Sequence, residues 1–335
     1  MAKIFGIDLG TANTLICTKG KGIILRAPSV VAINDTSREI VALGKSAKNM
    51  LGKTPEGITA FRPLRGGVIA EYEVASKMVR GFLEVSGAFS IFSRPSIIVC
   101  IPHEATGVEK RALEDAIFEA GARAVALIDE PIAAAIGTGL RVGAAKGNMI
   151  VDIGGGSTEI AVISHGGIVS AGSTRIAGDH FDEAIVEHIR KTRNILIGTS
   201  SAEDLKRACG SAHPAYDRGE LTVAGRNLLG SLGSTIRVSS SEIREALREP
   251  LDEIIDVIKH TLETTPPELS ADIYDYGIML TGGGAMLRGM DRLISEKTGV
   301  KVTVAKRPLE AVCIGISRAI ESEGQMGDLL RYRGR

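Results

Sequence analysis

The sequence predicts an α/β protein built as two lobes that face each other across a cleft, and three observations carry that expectation. The stretch Ile7-Asp8-Leu9-Gly10-Thr11-Ala12-Asn13-Thr14 returns as Val151-Asp152-Ile153-Gly154-Gly155-Gly156-Ser157-Thr158, with the Asp and the Gly in register. Strand-like and helix-like patterns alternate between the two copies. The chain has 335 residues, 44% of them hydrophobic, which exceeds what one core organises and suffices for two. The first lobe is expected over 1–139 and the second over 140–335, with a small subdomain at about 178–250.

In the first lobe, Ile4 to Ile7 and Thr14 to Cys17 read as a hairpin around the first turn. Gly20-Lys21-Gly22 turns the chain into two strand-like runs, Ile23 to Leu25 and Val30 to Ile33, separated by Pro28, so an opening antiparallel meander is expected. Between 39 and 70, Gly44, Gly52, Pro55, Gly57, Pro63, Gly66 and Gly67 leave room only for short elements, one of them a helix over Ser46 to Met50. Apolar residues at 74, 75, 78, 79, 82, 83 and 85 form the stripe of a helix from Val74 to Val85. Strand Ser96 to Ile101, helix Glu109 to Ala120 and strand Ala124 to Ile128 follow. Asp129-Glu130-Pro131 then opens an alanine-rich helix, Ile132 to Ile136, with the proline suited to its first turn.

The second lobe repeats the plan with a hairpin over 149–163, strands Ile168 to Ala171 and Ser173 to Ile176, and an amphipathic helix from Phe181 to Arg193. Ser201 is expected to cap a helix to Cys209, with Glu203 and Asp204 in its first turn, where negative charge suits the helix dipole. Leu221 to Ala224 and Thr235 to Val238 read as a small separate hairpin. Ser239, Ser240 and Ser241 offer caps for a long helix that runs to Thr264 and stops at Pro266 and Pro267. The last unit is strand Gly277 to Leu280, the turn Thr281-Gly282-Gly283-Gly284-Ala285, helix Leu287 to Thr298, strand Lys301 to Val304 and helix Glu310 to Glu321. The basic C-terminus, with Arg331, Tyr332, Arg333 and Arg335, is expected to fray.

Composition narrows the function. Lys plus Arg equals Asp plus Glu, 40 against 40, so no global field draws the chain to nucleic acid. Trp is absent and aromatics make up only 4%, which disfavours aromatic platforms for sugars or single-stranded bases. Cys17, Cys100, Cys209 and Cys313 are scattered without CxxC or histidine at ligand spacing, the pattern of reduced thiols in a cytosol. No run approaches the eighteen or so apolar residues of a membrane span, and no signal peptide precedes Ile4.

The two matched turns suit phosphate. Small residues let backbone N–H groups approach an anion, and an Asp at a strand end can hold a hydrated divalent cation beside it. Turns 10–14 and 154–158 are placed to clamp phosphates from opposite sides, with Asp8 and Asp152 addressing Mg²⁺ mostly through water, while the turn at 282–285, before a helix, faces the rest of a nucleotide. None of them is a GxxxxGK[ST] loop, and the turn at 154 leads into a strand, unlike a dinucleotide fingerprint. The loop Gly87-Ala88-Phe89-Ser90-Ile91-Phe92-Ser93-Arg94 carries three large apolar side chains, either tucked into the core or kept for a membrane or partner contact.

Ile7 to Thr14, Ile128-Asp129-Glu130-Pro131-Ile132-Ala133-Ala134-Ala135-Ile136-Gly137, Val151 to Glu159, and Thr281 to Ala285 together resemble the phosphate, connect and adenosine motifs of the actin and chaperone ATPase superfamily. Within it the chain is most similar to the MreB family of bacterial actin-like cell-shape proteins. Arg62-Pro63-Leu64, Gly67-Val68-Ile69-Ala70, Glu242-Ile243-Arg244-Glu245-Ala246-Leu247 and Thr264-Thr265-Pro266-Pro267-Glu268-Leu269 extend the likeness over nearly the whole chain. The resemblance implies a duplicated actin-like, ribonuclease H-like fold around a central nucleotide cleft, each lobe with a smaller subdomain, the C-terminal helix packing back on the first lobe.

It also implies ATP or ADP with Mg²⁺ as ligands, slow hydrolysis, self-assembly into filaments, and partners at the inner face of the cytoplasmic membrane and in the wall-elongation machinery. By position, Glu130 would orient the attacking water and Ser157, where the family more often shows Thr, would place its hydroxyl beside the γ-phosphate. Gly10, Thr11, Ala12, Asn13, Thr14, Gly154, Gly155, Gly156, Gly282, Gly283, Gly284 and Ala285 would line the nucleotide, and Glu203, Asp204, Leu205 and Lys206 would form the helix that meets ribose and adenine. Two departures stand out. The first strand begins at Ile4, without the family's frequent amphipathic N-terminal helix, so membrane contact is expected at Phe89, Ile91 and Phe92, where each buried side chain would add about 2 kcal/mol. Lys306-Arg307 before Pro308 replaces a typically acidic pair. A sugar kinase or a DnaK-like chaperone is the competing class. The first needs a sugar site of which no signature is visible, and the second a peptide-binding domain for which the residues after Glu321 leave no room.

Overall fold

The structure, a computed structural model, describes residues 3–89, 93–230, 233–322 and, through the backbone, 331–334. Its frame is two mixed sheets of matching design. The first runs in the order β19-β10-β9-β1-β2-β3, from β1 (Ile4–Leu9), β2 (Asn13–Thr18), β3 (Gly22–Pro28), β9 (Ser96–Ile101), β10 (Ala124–Asp129) and β19 (Arg331–Gly334). The second runs β13-β12-β11-β17-β18, from β11 (Asn148–Ile153), β12 (Thr158–Ser164), β13 (Gly167–Thr174), β17 (Ile278–Thr281) and β18 (Val302–Val304). In each sheet the strand that carries the Asp pairs antiparallel with its hairpin partner and parallel with a strand on its other side: β1 with β2 and β9, β11 with β12 and β17. Asp8 and Asp152 therefore both emerge at the carboxyl end of a strand with a parallel neighbour, where open α/β sheets place their ligands.

Three helices of the first lobe, α2 (Tyr72–Val85), α3 (Gly107–Glu119) and α4 (Glu130–Thr138), alternate with its strands. Thr106 and Glu109 close α3 with a reciprocal capping box, and Gly139, left-handed at φ 89°, ends α4. The second lobe carries α5 (Gly178–Arg193), α6 (Thr199–Cys209), α7 (Ser240–Glu263), α8 (Pro267–Tyr276), α9 (Met290–Thr298) and α10 (Ala311–Glu321). One apolar cluster fills the first lobe around Ile7, Ile16, Met78, Leu83 and Ile97, and another fills the second around Val151, Ile160, Phe181, Ile185 and Ile254. A third joins the lobes, made of α4, α10 and the inner faces of both sheets, including Ile98, Ile128, Ile150 and Ile163. There α4 and α10 cross backbone against backbone: a Cβ on Gly137 would collide with Ala311 O, and one on Gly315 with Ala133 O. The C-terminal helix thus packs on α4, β1 and β2 of the first lobe.

Five local expectations are corrected. The opening meander ends at Pro28, which has no N–H for the ladder: β4 (Val31–Asn34) leaves the sheet and pairs with β5 (Ile40–Leu43) and β6 (Ile58–Phe61) beside α1 (Lys45–Lys48), followed by the hairpin of β7 (Leu64–Arg65) and β8 (Val68–Ile69). The two strands expected between 168 and 176 are the single strand β13. Helix α6 begins a few residues early, with Gly198 in the N-cap position and no side-chain cap, so Ser201 lies inside it and Glu203 and Asp204 fall beyond its first turn. Pro267 starts the unforeseen α8 as well as stopping α7, because a ring with fixed φ fits a first helical turn. Residues 331–334, expected to fray, form β19 on the edge of β10, where backbone hydrogen bonding outweighs the terminal entropy. The small subdomain contains β14 (Ile195–Leu196), β15 (Glu220–Asn227) and β16 (Gly233–Ser239) in one sheet, and Ser239 caps α7 through Glu242 N–H.

Candidate functional site

Both Asp-bearing strands end in the same turn. Gly10 N–H bonds Asn13 O at 3.1 Å and Gly154 N–H bonds Ser157 O at 2.9 Å. The turns touch across the cleft. A Cβ on Gly155 would lie 2.6 Å from Ala12 Cβ, and one on Gly156 would collide with Thr11 Oγ1. Glycine is needed here because only bare backbone lets two phosphate-type turns approach so closely. The third turn packs against the second: Gly282 has φ +82°, and a Cβ there would strike Ile153 O and Asp152 Oδ1. Its N–H and the Thr281 hydroxyl both donate to Pro308 O, at 3.1 and 3.0 Å, so the Lys306-Arg307-Pro308 segment pins this turn. Arg307 itself pairs with Glu310, which also meets Arg26.

From the first lobe, the β7–β8 hairpin closes over the same point. Gly67 N–H donates to Thr11 Oγ1 at 3.0 Å, and a Cβ on Gly67 would come within 2.9 Å of Ser157 Oγ. Ser29 Oγ donates to Gly10 O at 2.6 Å and lies 2.8 Å from Thr14 Oγ1, holding the first turn from behind. Gly10, Thr11, Ala12, Asn13, Thr14, Gly154, Gly155, Gly156, Ser157 and Gly282 to Ala285 are thereby gathered around one point between the lobes.

The electrostatics of that point are severe. Asp8 and Asp152 are 9% and 4% exposed, and burial pushes each carboxyl up to about 7, with Asp8 adding to the shift of Asp152. The Cys100 thiol donates to Asp8 Oδ1 at 3.6 Å and eases that strain slightly. Glu130 opens α4, where the helix dipole favours its charge, yet burial and then Asp152, Glu159 and Asp8 drive its carboxyl well above the usual range. Glu159 is 3% exposed and pushed up to about 8 by burial, although the His103 main-chain N–H donates to it. Three buried acids and the half-buried Glu130 converge, and among the described residues no Lys or Arg pairs with any of them. Among the described residues no group of three His, Cys, Asp or Glu is placed to enclose a metal directly; Asp8 and Asp152, at the strand ends, are the carboxyls that could hold a hydrated divalent ion through its waters.

The helix expected at the ribose divides its roles. Leu205 is fully buried in the second-lobe core and Asp204 faces solvent. Glu203 and Lys206 share the face turned inward, but they do not pair with each other. Lys206 Nζ donates to Gly178 O at 2.7 Å and pairs with Asp182 at 2.7 Å, while Glu203 binds Lys48 of the first lobe. Phe89 packs against the first-lobe core, under the Arg80 guanidinium at 5.7 Å and against Gly121. Ile91 and Phe92 lie outside the described residues.

Sequence reasoning missed Glu159, Cys100, His103, Lys48 and Arg62. One signal for Glu159 was present: it is a lone acid in the otherwise uncharged and wholly buried strand β12, and the hairpin register sets it opposite Asp152.

The family profile described as MreB/Mbl protein matches residues 2–328. The cell shape-determining protein MreB of Escherichia coli (strain K12) is 50% identical over 321 residues, 94% of this chain and 92% of that one. The crystal structure of MreB5 of Spiroplasma citri bound to ADP superposes with a TM-score of 0.92 at 34% identity, covering 98% of this chain and 99% of that one. The MamK double helical filament shares the fold, with a TM-score of 0.81 at 22% identity over 96% of this chain and 99% of that one.

Proposed function

This chain belongs to the MreB/Mbl family, and we propose that it is an actin-like, nucleotide-dependent filament protein that helps determine cell shape. The observation that carries the reading is the meeting of two Asp-ended strands and their glycine turns around four acids, three of them buried, a site that calls for a cation and accepts an anion. An ATP or ADP phosphate chain with Mg²⁺, which Asp8 and Asp152 would hold through water, would supply both, the ion offering charge neutralisation to the phosphates. The chain's own groups do the positioning. Backbone N–H groups of both turns face the phosphates, Glu130 orients the attacking water, and Ser157 holds the γ-phosphate side with a hydroxyl. No covalent intermediate is involved, and turnover is slow.

Closure of the two lobes over nucleotide links its state to subunit shape, so ATP and ADP favour different interlobe angles and different polymer strengths. Filaments of this chain lie at the inner face of the cytoplasmic membrane, where they organise the wall-elongation machinery, and the contact is through Phe89, Ile91 and Phe92. No described helix is long and apolar enough to cross a membrane. Weak apolar contacts of single subunits add up along a filament. The test is sedimentation of purified protein with ATP and Mg²⁺, with and without liposomes of bacterial lipid. Pelleting in ATP and further recruitment to lipid are expected. A protein that stays monomeric at micromolar concentration under both conditions refutes the reading.

A further inference from the structure

Besides Arg26–Glu310 beside α10, two ion pairs among the described residues link the first lobe to helices α5 and α6 of the second. Lys48, the last residue of α1, sets its Nζ 2.7 and 3.0 Å from the two carboxylate oxygens of Glu203 on α6. Arg62, just after β6, lies 2.5 Å from Asp179 in the first turn of α5. Both cations come from the outer part of the first lobe, and both anions from helices of the second. The side chains are partly shielded, at 31% and 23% exposed for Lys48 and Glu203 and 23% and 28% for Arg62 and Asp179.

Glu203 has little choice of local partner. Arg207, one turn on, stands at 3.8 Å and is 73% exposed, and Lys206 is held by Asp182 and Gly178 O. Burial raises the Glu203 carboxyl, and Lys48, together with the charges of Lys206 and Arg62, more than offsets this, leaving it below its usual range. Each pair ends on an element that handles nucleotide in the function proposed above. Asp179 N–H donates to Gly155 O at 2.8 Å and Gly178 N–H to Gly154 O at 3.2 Å, so the first turn of α5 is hydrogen-bonded to the second phosphate turn. Glu203 stands where the ribose is expected.

We infer that Lys48 and Arg62 are positioning residues of the nucleotide site: reaching across from the first lobe, they fix Glu203 and the first turn of α5 and retain the bound nucleotide. This rests on the reading of the cleft as an ATP site. An ion pair between bodies that must separate for release opposes opening directly, whereas the same pair within one helix would not. Both pairs lie near the surface, so salt screens them and speeds release.

The test measures release of radiolabelled ADP and 2′-deoxy-ADP from the Mg²⁺-loaded full chain, below the assembly concentration, after a chase with unlabelled nucleotide. Lys48→Met is expected to speed ADP release about threefold to tenfold, with Lys48→Arg close to wild type. Lys48→Met also narrows the difference between ADP and 2′-deoxy-ADP, because Lys48 acts through the ribose-facing Glu203, and Arg62→Asp does not. Arg62→Asp speeds release of both nucleotides alike, and the reversed pair Arg62→Asp with Asp179→Arg recovers most of the loss, which separates pairing from damage to the fold. Wild-type protein that binds no ADP refutes the ATP-site reading and this inference with it. Normal wild-type binding with unchanged release in Lys48→Met and Arg62→Asp overturns this inference alone.

Discussion

Replacing Asp152 by Asn should make the nucleotide-free protein more stable at alkaline pH and unable to respond to nucleotide. Asp152 is 4% exposed, and its carboxyl sits at about 7 in place of 3.8, first because burial disfavours the anion and then because Asp8 repels it. A carboxyl raised in the folded state binds its proton more tightly there than when unfolded. Its effect on stability is nil below about 4, grows unfavourable as pH climbs, and is complete above about 7. The shift corresponds to roughly 4 kcal/mol as an upper limit, and relaxation and water entry reduce this to about 1–3 kcal/mol.

Asn keeps the shape and removes the charge, so at pH 8 Asp152→Asn should melt about 2–6 °C above wild type, the gain vanishing towards pH 5. The unmet hydrogen bonds of the amide set the lower end of that range. Melting curves followed by circular dichroism from pH 5 to 8, without nucleotide or Mg²⁺, read the effect. With ATP and Mg²⁺ added, the wild-type melting point should rise, and the variant's should stay where it was. A variant less stable than wild type at pH 8, or one whose difference does not change with pH, would refute the picture of a strained acid cluster awaiting a cation.

Glu130→Ala should leave ATP affinity within about threefold of wild type and slow phosphate release at least tenfold, giving persistent filaments in a light-scattering assay; loss of ATP binding would make Glu130 a structural residue. Exchanging Phe89, Ile91 and Phe92 for Ser should abolish co-sedimentation with liposomes while assembly in ATP survives. Because Phe89 packs on the first-lobe core, the double variant Ile91→Ser with Phe92→Ser is the discriminating one: a membrane contact leaves its melting point at the wild-type value, and a core loop lowers it. Gly315→Ala drives a methyl into Ala133 O and should destabilise by about 3 kcal/mol or more, seen as a urea midpoint well below that of an exposed control such as Gly143→Ala.

The duplicated Asp-Gly turns were legible because their chemistry is local. A strand that must deliver an Asp, followed by a turn whose backbone must stay bare, leaves its mark in adjacent letters, and two such marks in register announce two lobes. Helix α2 was legible from its stripe, and α7 from Ser239. Boundaries slipped where local signals compete. Pro267 reads as a stop or as a start, and only the packing of α8 beside β11 chose the start. Ser201 had the side chain of a cap, but α6 begins before it, at a Gly198 that brings none.

The site divides along the same line. Asp8, Glu130, Asp152, Ser157 and the glycine turns could be named from motifs, since each motif is one strand, one turn or one helix start. Glu159 joined them only once the β11–β12 register set it opposite Asp152 and the fold withdrew it from water. Lys48 and Glu203 stand 155 positions apart, and Arg62 and Asp179 117. Nothing near either cation in the chain points to its partner. Those pairs, the collision-tight crossing of α4 with α10, and the raised carboxyls at the centre depend on which distant surfaces meet and how much water they exclude. That is a property of the assembled lobes, while the two turns at the heart of the cleft are already written in their own eight residues.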